Sequence, residues 1–114
     1  MIPKRRKPEK LGLREAPQLR SDPHLKFIRG FECSVSHSGG CSGRIEAAHV
    51  RTNTDGGMGV KPSDCYCLPL CSEHHREQHD IGERAFDALH KISMRKIADA
   101  LWLKSPHRNR EVKL

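Results

Sequence analysis

Apolar residues fall along this chain in short bursts separated by polar stretches, and the spacing within each burst predicts an element. Residues 1–20 carry three prolines and seven Lys/Arg with no apolar period, which predicts a basic arm, disordered or loosely docked. Folding is expected to begin at Ser21. There Ser21-Asp22-Pro23 supplies a cap and an early proline, Leu25, Phe27 and Ile28 an apolar cluster, and Gly30 a stop, the signature of one short helix. Residues 31–43 read as a tight loop bent by Gly39-Gly40. In residues 44–50, Ile45, Ala47 and His49 alternate with Glu46, Ala48 and Val50, which predicts a strand. Asn53, Gly56, Gly57, Gly59 and Pro62 break residues 51–64 into an ordered surface loop. A second strand follows over residues 65–70, and a helix starts at Ser72 or Glu73. Beyond Gly82, Ala85, Phe86 and Leu89 form one amphipathic face; Met94, Ile97, Ala98, Leu101 and Trp102 form another, ended by Ser105-Pro106.

Composition limits what these elements can bury. The chain has 114 residues, 35% apolar and 4% aromatic, enough for one domain over residues 21–103 but little for its core, so a covalent or metal staple is expected. No apolar run follows the basic N-terminus and no segment approaches transmembrane length, so neither a signal peptide nor a membrane span is expected, and the cytoplasm is the expected location. In a reducing compartment five cysteines, three of them interleaved with histidines, favour thiolate–zinc ligation over disulfides. The net charge of +7 sits in the tails: residues 1–20 hold seven cations against two acids, and the basic tail 104–114 holds four against one. Such tails suit nucleic-acid phosphate. Charge alone does not identify the polyanion.

Seven potential metal ligands lie within 47 residues: Cys33-x7-Cys41, His49, and Cys71-x2-His74-His75-x3-His79. One tetrahedral zinc uses four, so the surplus imidazoles call for a second, open site and suggest an enzyme. On a helix, His75 and His79 share a face at i and i+4, whereas His74 is turned by roughly 100° and can look back toward Cys71. Cys65 and Cys67 read as small apolar fillers, Glu46 as a surface carboxylate or a support for a ligand, and His24, His37, His90 and His107 as surface residues.

The order strand, loop, strand, helix, with His49 ending the first strand and His75-x3-His79 on the helix, resembles the HNH nucleases with a ββα-metal core. The resemblance covers about residues 22–83. It is carried by Cys33-x7-Cys41, Ala48-His49-Val50-Arg51, the run 57–64 and Leu70-Cys71-Ser72-Glu73-His74-His75 with His79. It is nearest the small prophage-encoded YbcO-like and recombination-enhancement-function (Ref) nucleases. The resemblance implies a small zinc-stabilised α+β domain with an HNH core, flanking helices and basic tails. It implies structural zinc on Cys33, Cys41, Cys71 and His74, His49 as general base, His75 and His79 on a catalytic cation, and Asp64 at the position usually held by Asn. Ala48 replaces an acidic or His ligand common in that family, leaving Asp64, water or substrate phosphate as the third ligand. Arg51 and Lys61 are candidate phosphate contacts. The implied activity is metal-dependent DNA cleavage in phage or prophage DNA processing or recombination, with Mg²⁺ or Mn²⁺, or else Ni²⁺ or Zn²⁺, as catalyst. Expected partners are DNA and possible recombinase-coated DNA filaments, with the protein a monomer or weak dimer. The alternative is a zinc-stabilised DNA-binding module without catalysis.

Overall fold

The computed structural model describes residues 18–56 and 60–108. Most of the expected basic arm and tail, and the Gly57-Met58-Gly59 part of the loop, lie outside the described residues. Four helices surround a two-stranded antiparallel sheet in a small α+β arrangement: α1 (Asp22–Arg29), β1 (Ile45–His49), β2 (Cys67–Cys71), α2 (Ser72–Ile81), α3 (Glu83–His90) and α4 (Met94–Lys104).

Local chemistry accounts for most boundaries. The Ser21 side chain accepts the His24 N–H, capping α1, and the Gly30 N–H closes its far end onto Ile28 and Phe27 carbonyls. A 3-10 turn at Ser36–Ser38 interrupts the loop expected over residues 31–43. The strands pair with Ile45 opposite Cys71 and His49 opposite Cys67. Strand β2 therefore starts two residues and ends one residue later than the expected 65–70, and Cys65 stands outside it, half-buried. Pro69 has no N–H to leave unpaired, and its carbonyl accepts both the backbone N–H and the hydroxyl of Ser34.

The sheet has a core on each face. Ala48, Val50, Leu68 and Leu70 join Val35, Phe86, Met94 and Ala98 in the larger cluster; Cys67 joins Ile28 and Leu101 in the smaller, with Leu25, Phe27, Phe31 and Ala47 packed against it. The apolar stripe expected on α4 is confirmed in its centre, with Met94, Ala98 and Leu101 buried. On α3 the stripe is turned by one residue: Phe86 and His90 face inward, while Ala85 and Leu89 are exposed. His90 is drawn inside because its two ring nitrogens meet Ser38 Oγ at 2.7 Å and Glu77 Oε1 at 2.6 Å. His24, also expected at the surface, is fully buried beside Ser105 Oγ at 2.9 Å and edge-on to Trp102. In both cases a polar partner distant in sequence makes burial of an imidazole tolerable.

Phe86 is the largest fully buried side chain. Phe86→Ala should cost about 3–5 kcal/mol, read as a lowered urea midpoint with an unchanged m-value; a midpoint within error of the parent would mean that α3 does not close the core.

Candidate metal centre and basic cleft

Cys33, Cys41, Cys71 and His74 come together from three places: the loop after α1, the end of β2 and the first turn of α2. Their potential ligand atoms all lie within 4.8 Å of one another. His74 Nδ1 is 3.6 Å from Cys33 Sγ, 3.6 Å from Cys41 Sγ and 3.2 Å from Cys71 Sγ. One imidazole nitrogen offers a single hydrogen bond, so hydrogen bonding does not explain three sulfurs around it. A tetrahedral zinc, with sulfur at about 2.3 Å and nitrogen at about 2.0 Å, sets sulfur and nitrogen roughly 3.5 Å apart. The cluster could hold a metal ion such as zinc. All five cysteines are free of disulfides.

The same residues organise the start of α2. Cys71 is its N-cap, with Sγ accepting the His74 backbone N–H at 3.4 Å. Burial works against the Cys71 thiolate, but donation from the His74 and Ser42 backbone N–H groups outweighs it, and the pKa falls to about 7. That favours the thiolate, which is the form that binds metal. The Ser72 and Glu73 N–H groups find the carbonyls of Arg44 and Ser42. Gly43 makes this approach possible. Its φ is +84°, and a Cβ there would stand 2.7 Å from Ser72 Cβ.

His49 and His75 each hold a carboxylate. His49 Nε2 lies 2.9 Å from Asp64 Oδ1, and Asp64 Oδ2 accepts the Ser21 N–H at 2.7 Å. Asp64 is 2% exposed. It therefore sits beneath His49, committed to an imidazole and a helix cap, instead of reaching toward a cation as the sequence left open. Burial lowers the pKa of His49; Asp64 pulls it back up, and the charges of Lys61 and Arg20 depress it again. His75 Nδ1 lies 2.7 Å from Glu46 Oε1, while Ser72 Oγ donates to Glu46 Oε2 at 3.0 Å. These hydrogen bonds, His75 first, lower the pKa of Glu46. Glu46 is thus a partner of the His75 imidazole, one of the two roles that its pattern left open.

Both histidines line one cleft of about 670 Å³ along β1, between α1 and α2, together with Glu46, Arg29, Arg44 and Lys61. The His79 ring is 5.0 Å from that of His75, and both border an adjoining hollow. Among the described residues only two groups draw three or more potential ligand atoms within 4.8 Å: the Cys3His cluster, and His74 with Glu77 and His90. His75, His79 and Glu46 are neighbours without that convergence. Arg51 is not among the cleft residues. Its backbone N–H donates to Glu83 at 2.7 Å and its guanidinium to the Val60 carbonyl at 3.1 Å, so it ties the loop after β1 to α3. Ala48 is fully buried in the larger core and is not available as a ligand.

No local sequence pattern points to what holds the cleft in shape. Arg20 donates to the carbonyls of Pro62 and Lys61 at 2.7 and 3.0 Å and lies 3.6 Å from Asp64. Leu19 exchanges hydrogen bonds with Ser63 Oγ and the Asp64 N–H. Ser63 is fixed in turn by Asp55. Residues 18–21 are thereby stitched to residues 55–64, although they fall at the end of the expected arm. No local pattern could reveal it, because every partner is more than 40 residues away in sequence or is a main-chain atom.

No family model, curated protein or solved structure matches this chain. No helix among the described residues is long and apolar enough to cross a membrane.

Cys71→Ser should release the bound metal and unfold the domain, because structural zinc contributes on the order of 10 kcal/mol to such folds. Cys65→Ser, outside the cluster, should keep both metal and melting temperature. Elemental analysis alongside thermal unfolding checks the pair; equal metal content in both variants would remove Cys71 from the ligand set.

Proposed function

We propose that this protein is a metal-dependent DNA endonuclease of the HNH type, with the Cys3His cluster as a zinc staple and the cleft between α1 and α2 as its active site. The observation that carries this reading is the pairing of two carboxylate-anchored histidines, His49–Asp64 and His75–Glu46, in one cation-lined cleft. Hydrolysis of a phosphodiester needs a base for the water, neutralisation of the phosphate and stabilisation of the departing 3′ oxygen. Each need has a candidate on the wall of this cleft or beside it.

His49 serves as the base. With Nε2 engaged by Asp64 Oδ1, that nitrogen carries the proton and Nδ1 keeps its lone pair. Nδ1 takes the proton from water as the water oxygen attacks phosphorus. Asp64 holds the ring in this tautomer and stabilises the imidazolium that forms. Burial and the nearby cations keep His49 neutral before the reaction.

His75 and His79 are the residues that would hold the second cation, and their donor chemistry suits a divalent ion. Glu46 on His75 Nδ1 leaves Nε2 as the ligating atom, the carboxylate–histidine arrangement common behind metal ligands. When bound, Mg²⁺, Mn²⁺ or another divalent ion there would neutralise the phosphate and stabilise the leaving oxygen. Glu46 would otherwise be a poor neighbour for a phosphate, since its lowered pKa keeps it anionic.

A plasmid-nicking assay across Mg²⁺, Mn²⁺, Ni²⁺ and Zn²⁺ tests the reading. His49→Ala should retain metal, fold and DNA binding while losing about 10²–10⁴-fold in cleavage. DNA binding with no cleavage by the parent chain under any of these ions would leave the non-catalytic DNA-binding module in its place.

The pH profile gives a second check. A base must be deprotonated, so cleavage should fall as pH drops through the His49 pKa, which burial places below the ordinary value of about 6.5. Asp64 raises that pKa, so Asp64→Asn should move the acid limb to still lower pH while slowing the plateau. An unmoved limb would detach His49 from the rate.

A further inference from the structure

We propose that Arg29 and Arg44, together with Lys61, form a track for the phosphodiester backbone of a DNA strand across the cleft, an inference that rests on the nuclease reading above. The three cations come from the last turn of α1, the residue before β1 and the loop before β2, and all line the same cleft. General basicity does not explain the convergence. Residues 21–103 hold ten Lys/Arg against eleven Asp/Glu, yet the cleft wall presents these three cations against the single carboxylate Glu46. All three are exposed. Among the described residues none of them forms an ion pair with a carboxylate, unlike Arg20, Arg76 and Arg95. Unpaired cations held together on a concave wall repel one another, and a polyanion relieves that repulsion with release of its own counterions.

The placement indicates an extended ligand instead of one anion. Arg44 precedes β1 and His49 ends it, so their backbones stand roughly 16 Å apart along an extended strand. Lys61 lies three residues before Asp64, the partner of His49, and Arg44 two residues before Glu46, the partner of His75. A phosphate at His49 and Lys61 and a phosphate at Arg44 therefore belong to different nucleotides of one strand, with the reacting phosphate among them. Charge contacts of this kind carry no base readout, so the track fits DNA without regard to sequence. Arg51, the other cation proposed from the sequence, is spent on the loop that follows β1.

The test measures binding without cutting. In a His49→Ala background, Arg29→Gln, Arg44→Gln, their double variant and Lys96→Gln on exposed α4 surface are titrated with fluorescein-labelled DNA over a salt series, with melting temperature and zinc content confirming the fold. Each track cation removed should flatten the slope of log K against log salt by about 0.9, the double variant by about twice that, and Lys96→Gln should match the background. Unchanged slopes for Arg29→Gln and Arg44→Gln, in protein that binds DNA, would overturn the track while leaving cleavage by the parent chain untouched. Flattened slopes in a protein whose parent cuts no DNA would sustain the track and sink the nuclease. No DNA binding by the background protein would overturn both.

Discussion

Convergence of three sulfurs on one imidazole nitrogen is the constraint on which the rest of this fold depends. A sheet of two five-residue strands is not stable by itself, and the two apolar clusters on its faces are small. The Cys3His cluster joins the loop at residues 33–41 to the junction of β2 and α2. It thereby fixes three things together: the path of the loop beneath the larger core, where Cys33 and Cys71 are themselves core members; the cap of α2; and the rotation of α2 about its axis. That rotation has a consequence for chemistry. With His74 turned inward to the sulfurs, the next residue, His75, emerges roughly 100° further round the helix, where β1 offers Glu46.

The cleft depends on a second, purely polar device. Asp64 bridges the N-terminus of α1 and the imidazole at the end of β1, and Arg20 clamps the loop that carries it. Burying a carboxylate beside an imidazole is costly unless both are hydrogen-bonded, and here both Asp64 oxygens are used. The outcome is a histidine whose orientation is fixed by a group that does not itself reach the cleft. Burial and Asp64 pull the pKa of His49 in opposite directions, with burial the stronger. On the nuclease reading proposed above, that balance is what would keep an anchored imidazole available as a base.

Much of the fold was legible because its signals are local. Ser21 as cap, Gly30 as stop, the alternation through residues 44–50 and the i, i+3, i+4 stripe on α4 each act within a few residues, and each element lies where its pattern put it. The Cys/His spacing likewise marked the stretch of candidate ligands, and the family resemblance singled out the four that cluster. The misplacements share one cause. The stripe on α3 is turned and His24 and His90 are buried because Ser105, Ser38 and Glu77 meet them from distant parts of the chain. Strand β2 starts late because pairing with β1 sets its register. The roles of Arg20, Glu46 and Asp64 were illegible or ambiguous for the same reason: a carboxylate is a ligand, a support or a solvated charge according to what lies across from it.

The two carboxylates also show how one chain can divide labour between similar residues. Asp64 is buried under His49 and tied to a helix cap, so it holds that imidazole in place and raises its pKa against the effect of burial. Glu46, more exposed, shares its oxygens between His75 and Ser72 on the first turn of α2, so it fixes the His75 ring against the start of that helix. The cation-lined wall includes Glu46 and His49 but not Asp64. Substrate phosphates attracted by that wall would be repelled by an uncompensated Glu46, and a cation attracted by Glu46 would be repelled by the arginines and Lys61. On the nuclease reading proposed above, each becomes favourable in the presence of the other, so phosphate and divalent ion would bind this cleft cooperatively, through the electrostatics of the same few residues.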